Sequence, residues 1–262
     1  MESNYVYGGT SDYGNGRETN EDFLAFEVLR EDILFAVVAD GAGSKQNGFA
    51  IQPAVVASVE AVEAIKRLYN ANPELITNYP VEVLTEAVQV ANRVIGVMKT
   101  TNEESCSGFG VCLSCCLVIG DRFVFAHCGN TRIYLIRHFK DGAARILQLT
   151  RDHTRAEEMV ESGTLAENEY YAHPARYTFT SGLGFVVNPN IQTYEGELKT
   201  GDLLVLTTDG IHYAIRPEAI SDIILQTGEW QAASKTLIEA AKMQKMQDNM
   251  TAAIIFIPKL DK

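Results

Sequence analysis

Basic side chains are scarce in this chain: 22 lysines and arginines stand against 34 aspartates and glutamates, for a formal net charge of -12. A general nucleic-acid binder needs a basic face for the phosphate backbone, so the balance argues against that class. Long apolar runs are missing as well. No stretch reaches the ~18 apolar residues of a membrane span, and Met1 to Asn20 is polar and Gly-rich, without the apolar segment of a signal peptide. No membrane partner is expected, and the expected location is the cytoplasm. Cysteine is present but not paired by number. The five, at 106, 112, 115, 116 and 128, are read as reduced thiols. Cys112-x-x-Cys115-Cys116 is followed by no second paired motif, and strand alternation sends Cys115 and Cys116 to opposite faces, so core packing is expected rather than zinc.

What the chain does have is enough length and apolar content (262 residues, 46% apolar) for a substantial core. Strand-like runs cover 23–28, 33–39, 111–119, 122–128, 132–137, 145–149, 191–197, 202–207 and 252–258. Helical periodicity covers Phe49 to Leu68, Val81 to Met98, Pro217 to Gln226 and Glu229 to Met246, with a small polar helical insert over Arg155 to Ala172. Strands, two helices, a strand meander, an insert, strands, two helices and a strand do not make a βαβ alternation. The order predicts an α+β fold: two antiparallel sheets packed as a central sandwich, flanked by helix pairs in α-β-β-α layers. One domain is expected over 1–262. Arg132, Arg137 and His138 read as the solvated face of a strand.

Aspartates beside small residues mark the ends of several of these runs. They are Asp22 in Arg17-Glu-Thr-Asn-Glu-Asp22, Asp40 in Ala39-Asp-Gly-Ala-Gly43, Asp209 in Thr207-Thr-Asp-Gly210 and Asp248 in Asp248-Asn-Met-Thr251, with Asp152 in Leu149-Thr-Arg-Asp-His153 a weaker fifth. Carboxylates at buried strand ends are costly unless a positive charge meets them, and hard divalent cations are the usual partner.

In this order the motifs resemble the metal-dependent Ser/Thr protein phosphatase family (PPM, or type 2C), in its compact bacterial branch. Further likenesses are Gly108-Phe-Gly110, His127-Cys-Gly-Asn-Thr-Arg-Ile-Tyr134, Phe179-Thr-Ser-Gly-Leu-Gly184, and a flap of about 152–178 that includes Met159-Val-Glu-Ser-Gly163 and His173-Pro174-Ala-Arg176. The resemblance implies hydrolysis of phosphoserine and phosphothreonine in proteins by a water bridging two ions, Mn2+ or Mg2+. It implies that Asp40 bridges both ions, with the Gly41 carbonyl on one and Asp209 and Asp248 on the other. Asp22, counted with the metal set, would hold ion-bound waters together with Glu21, and Asn249 would support the ligands from behind. Arg17 would grip the substrate phosphate through its planar fork of donors. Of these, Arg17, Asp22 and Asp40 are the expected catalytic residues. The implied partners are phosphorylated proteins, substrates of a Ser/Thr kinase, met by a monomer.

Two departures bear on a third, weaker ion of the family: its aspartates are replaced here by Asn130 and Tyr213. Losing two anionic ligands should cripple that site. The alternative function is therefore a catalytically weak pseudophosphatase that binds phosphoproteins or a partner as a regulatory module. Retention of Arg17, Asp22, Asp40, Asp209 and Asp248 favours the enzyme.

Overall fold

A computed structural model describes residues 3–42, 52–101 and 110–258. Its strands are β1 (Val6–Asp12), β2 (Asp22–Arg30), β3 (Ile33–Ala42), β4 (Gly110–Ile119), β5 (Arg122–Cys128), β6 (Arg132–His138), β7 (Ala144–Gln148), β8 (Gln192–Glu197), β9 (Leu203–Thr207) and β10 (Met250–Phe256). The helices are α1 (Pro53–Ala71), α2 (Glu74–Asn78), α3 (Pro80–Thr101), α4 (Arg155–Glu161), α5 (Asp209–His212), α6 (Pro217–Thr227) and α7 (Trp230–Met243).

β3 shows why the layers form. Ile33, Phe35, Val37 and Ala39 turn one way, while Leu34, Ala36 and Val38 turn the other, and all are fully buried. A strand apolar on both faces needs cover on both. The first set packs under α1 and α3, against Ile65, Leu84 and Val88. The second meets Ile133, Leu204, Leu206 and Ile255 of the other sheet. That sheet's outer face, with Tyr134, Val205 and Ile254, is covered by α6 and α7 through Ile220, Ile224 and Leu237. Both sheets are five-stranded and antiparallel, in the orders β1-β10-β9-β6-β7 and β2-β3-β4-β5-β8. The α-β-β-α sandwich expected of the sequence is the fold observed.

Three local readings change. β1 was not expected, because Val-Tyr-Gly-Gly-Thr-Ser-Asp carries no apolar alternation. It is an edge strand whose glycines permit close packing: a Cβ on Gly8 would lie 2.5 Å from the backbone nitrogen of Gln231. The insert is helical only over Arg155–Glu161 and continues as 3₁₀ turns at Glu167–Ala172 and Pro174–Tyr177. Arg132 is no solvated side chain. It is buried and meets Asp152 through two bonds of 2.8 Å each, while Arg137 pairs with Asp202. Cys112, Cys115, Cys116 and Cys128 are buried free thiols, as expected, and Cys106 lies outside the described residues.

Antiparallel pairing gathers the ends that matter. β2, β6 and β10 start, and β3 and β9 finish, at one end of the sandwich, so the motifs of the sequence meet there.

Candidate active site

Asp22 opens β2 and lies directly opposite Asp40 near the end of β3. Asp209 begins α5 one residue beyond Thr208, immediately after β9, and Asp248 stands two residues before β10. Gly210 permits this approach: a Cβ there would lie 1.9 Å from the carbonyl oxygen of Asn249.

The group is hemmed in electrostatically. Burial pushes the Asp22 carboxyl up to about 7, against the opposing pull of the Thr208 and Thr251 hydroxyls. Burial, then the charges of Asp248 and Asp22, push Asp209 up to about 8. Asp40 is driven well above the carboxylate range by burial and by Asp209, Asp22, Asp248 and Glu21. Asp40 and Asp209 are thus raised by burial and by neighbouring carboxylates, and Asp22 by burial and by Asp248, as expected where carboxylates crowd together.

Supporting bonds hold these groups in place. Asp22 Oδ2 accepts from Thr208 Oγ1 at 2.7 Å and from Thr251 Oγ1 at 2.8 Å. Thr251 Oγ1 also meets Ser11 Oγ at 2.8 Å, and Ser11 Oγ accepts from Asn20 Nδ2 at 2.8 Å. Asn20 also caps the turn, accepting the Asp22 N–H. Asn249 crosslinks three segments: its Oδ1 accepts the Glu21 N–H at 2.9 Å, and its Nδ2 donates to the carbonyls of Tyr13 and Thr19. The Gly41 N–H donates to the Glu21 carbonyl at 3.1 Å.

Arg17 reaches the same rim, with Nη2 on Asp248 Oδ1 at 2.5 Å and Nε on the Gln247 carbonyl at 3.1 Å. Asn130 is fully buried and donates from Nδ2 to Asp209 Oδ2 at 3.0 Å, while Tyr213 lies beside it. Arg17, Asp22, Asp40, Gly41, Asp209, Asp248, Glu21, Asn249, Asn130 and Tyr213 therefore belong to one end of the sandwich. Asp152 does not join the carboxylate group, because Arg132 neutralises it. His153 and His173 are structural: each accepts a backbone N–H, from Gly129 and from Ala175. The Thr208 and Thr251 hydroxyls were missed from sequence, although both sit inside the quoted motifs.

The donor set suits a hard cation. It is all oxygen, and burial pushes the nearby thiols away from the thiolate form. Among the described residues no three His, Cys, Asp or Glu side chains ring a single point. A spread-out basin of carboxylates suits ions that keep several waters.

A family model described as Protein phosphatase 2C matches residues 9–253. The chain belongs to that family: in class it is a protein phosphatase, a phosphoric monoester hydrolase of the serine/threonine type. Among its relatives is Protein phosphatase PhpP of Streptococcus pneumoniae serotype 2, 27% identical over 253 residues, or 96% of this chain and 97% of that one. The serine/threonine phosphatase PstP/Ppp of Mycobacterium tuberculosis superposes with a TM-score of 0.81 at 26% identity, covering 97% of this chain and 99% of that one. A PstP catalytic domain in complex with 2 manganese ions superposes at 0.77, also 26% identical, over 97% and 99% of the two chains.

Proposed function

We propose that the protein hydrolyses phosphoserine and phosphothreonine in phosphoproteins made by a Ser/Thr kinase, with two divalent cations, Mn2+ or Mg2+, at the carboxylate basin. The observation that carries this is the convergence of Asp22, Asp40, Asp209 and Asp248 from separate strand ends, each of the first three raised by burial and by its neighbours. Asp40, the Gly41 carbonyl, Asp209 and Asp248 would hold the ions. Bound there, the cations supply positive charge to the phosphoryl group and acidify water.

The remaining steps belong to the chain's own residues. Asp22 has Oδ2 committed to the two threonine hydroxyls, leaving Oδ1, with Glu21, to orient solvent and take its proton. Arg17 is fixed at the rim through Nε and Nη2, with the rest of its planar fork available to a phosphate oxygen. Asn249 keeps the Glu21 segment in register with the Asp248 turn. Asn130 and Tyr213 are neutral, so a third ion is not assigned. The protein is read as one domain over 1–262 with its flap at about 152–178, a monomer working in the cytoplasm. No helix among the described residues is long and apolar enough to cross a membrane.

The test is hydrolysis of a phosphothreonine peptide and of p-nitrophenyl phosphate with Mn2+, with Mg2+ and with EDTA, alongside calorimetric Mn2+ titration. Activity that requires the ion and ceases in EDTA is expected. Folded protein that binds no Mn2+ would refute the assignment, and binding without turnover would favour the regulatory module.

A further inference from the structure

The flap's last turn, Pro174–Tyr177, buries none of its residues. Ala175 packs at the edge of the flap's Ala156–Leu165–Tyr170 cluster, and the Thr178 carbonyl accepts the Arg155 N–H at 2.8 Å, while a further bond runs to the basin wall. Tyr213, one turn along from Asp209, sends its hydroxyl across to the Arg176 carbonyl at 3.2 Å. Asn130 Nδ2 approaches the same hydroxyl at 3.5 Å while bonded to Asp209 at 3.0 Å. The Tyr170 hydroxyl, from the preceding 3₁₀ turn, lies 3.3 Å away. The ring adds contacts of its own. Tyr177 meets it edge-on at 5.6 Å, and the Arg176 guanidinium stacks 4.6 Å from its centroid.

We propose that Tyr213 is a positioning residue that latches the flap to the wall of the carboxylate basin through its hydroxyl. The chain Arg176–Tyr213–Asn130–Asp209 then couples the flap's seat to a basin carboxylate by protein hydrogen bonds alone, without an ion in the link. The latch sets where the flap's surface stands for an incoming phosphoprotein. That last role rests on the phosphatase reading above, whereas the latch itself does not.

Hydrogen–deuterium exchange on the full chain in EDTA separates the two. Tyr213→Phe keeps the ring and loses the hydroxyl, so amides of 167–178 should exchange roughly fivefold faster, as expected for one lost hydrogen bond, while β3 and β4 stay protected. Wild-type flap protection should be equal in EDTA and in Mn2+. Unchanged flap exchange in Tyr213→Phe overturns the latch. So does wild-type behaviour of Tyr213→Phe beside deprotection in Tyr213→Ala, which would assign the hold to the ring. Flap deprotection of the wild type by EDTA overturns it too, since an ion would then be the link. In turnover, Tyr213→Phe should raise KM for a phosphothreonine peptide several-fold with kcat within twofold. A matching fall in kcat would show that the basin, not the flap, had been disturbed, and would overturn the positioning role.

Discussion

Asp22 and Asp40 stand directly opposite one another across β2 and β3, two carboxyl groups of like charge in the one register position where strand pairing forces them together. Like charges directly opposite in a sheet are destabilising. Alternation would have allowed any apolar or neutral pair here, as it does at Phe23 and Ala39 one step further in. Burial and neighbouring charge push both carboxyls up, so protons meet the like-charge conflict there unless a cation does.

Replacing either partner of that arrangement, or its neighbour across the basin, should separate stability from activity. Asp40→Asn and Asp209→Asn are expected to reduce ion-dependent hydrolysis by more than the ~10–100-fold that outer partners of a metal site typically cost. The ion-free variants should melt at or above the wild-type temperature, because a neutral amide replaces a buried ionisable group crowded by its neighbours. Turnover like wild type in either variant would remove the two-ion assignment.

The hydroxyls behind Asp22 offer a gentler probe. Thr208→Val and Thr251→Val each delete one donor to Asp22 Oδ2 and leave the volume nearly unchanged. Mn2+ affinity or turnover should drop ~10–100-fold in each. Calorimetric titration reads the first and initial rates the second; a variant equal to wild type in both would show that Asp22 needs no such support.

Both threonines sit inside motifs quoted from the sequence, yet only the structure shows their purpose, since the pairing joins residues 186 and 229 positions apart. The same limit explains Arg132. Alternation places a side chain on a face but cannot see that Asp152, on a separate loop, waits there to neutralise it. β3 was legible because both its faces are apolar, and the helices were legible from their stripes. β1 was not, because its fit depends on Gly8 lying against the start of α7. The aspartates could be picked out because several carboxylates beside small residues mark the ends of apolar runs, in an ordered series of motifs. Their mutual fields needed the fold.

The buried pair at the base of the flap predicts a large stability effect. Arg132 meets Asp152 with both carboxylate oxygens, and neither side chain is more than 3% exposed. Removing one partner strands the other's charge, so Asp152→Ala should cost about 3–5 kcal/mol in urea unfolding. Exchanging both for apolar residues of similar volume should recover most of that loss. A loss below about 1 kcal/mol, the usual worth of an exposed pair, would show the contact to be solvated.

The buried histidines contribute stability that acid removes. His127 donates from Nε2 to the Arg151 carbonyl and holds Ser114 Oγ at Nδ1, 2.9 Å away. Burial, with His153 adding to it, pushes His127 down to about 3, and burial lowers His153 and His212 as well. In the unfolded chain these rings take protons near the ordinary 6.5, whereas the folded protein keeps His127 neutral until about 3. Between those values His127 binds more protons in the unfolded state, so its contribution to stability falls as pH drops from 6.5 towards 3 and is fully present above 6.5. His127 alone can contribute a slope of at most about 1.4 kcal/mol per pH unit. The basin carboxyls, raised to about 7 at Asp22 and about 8 at Asp209, act in the opposite sense, so the test is the difference between His127→Gln and wild type in urea unfolding from pH 7 to 4. The variant should gain stability relative to wild type as pH falls, by up to that slope. An unaltered pH profile in the variant would mean that His127 is protonated in the fold, with its bond to Ser114 reversed in direction.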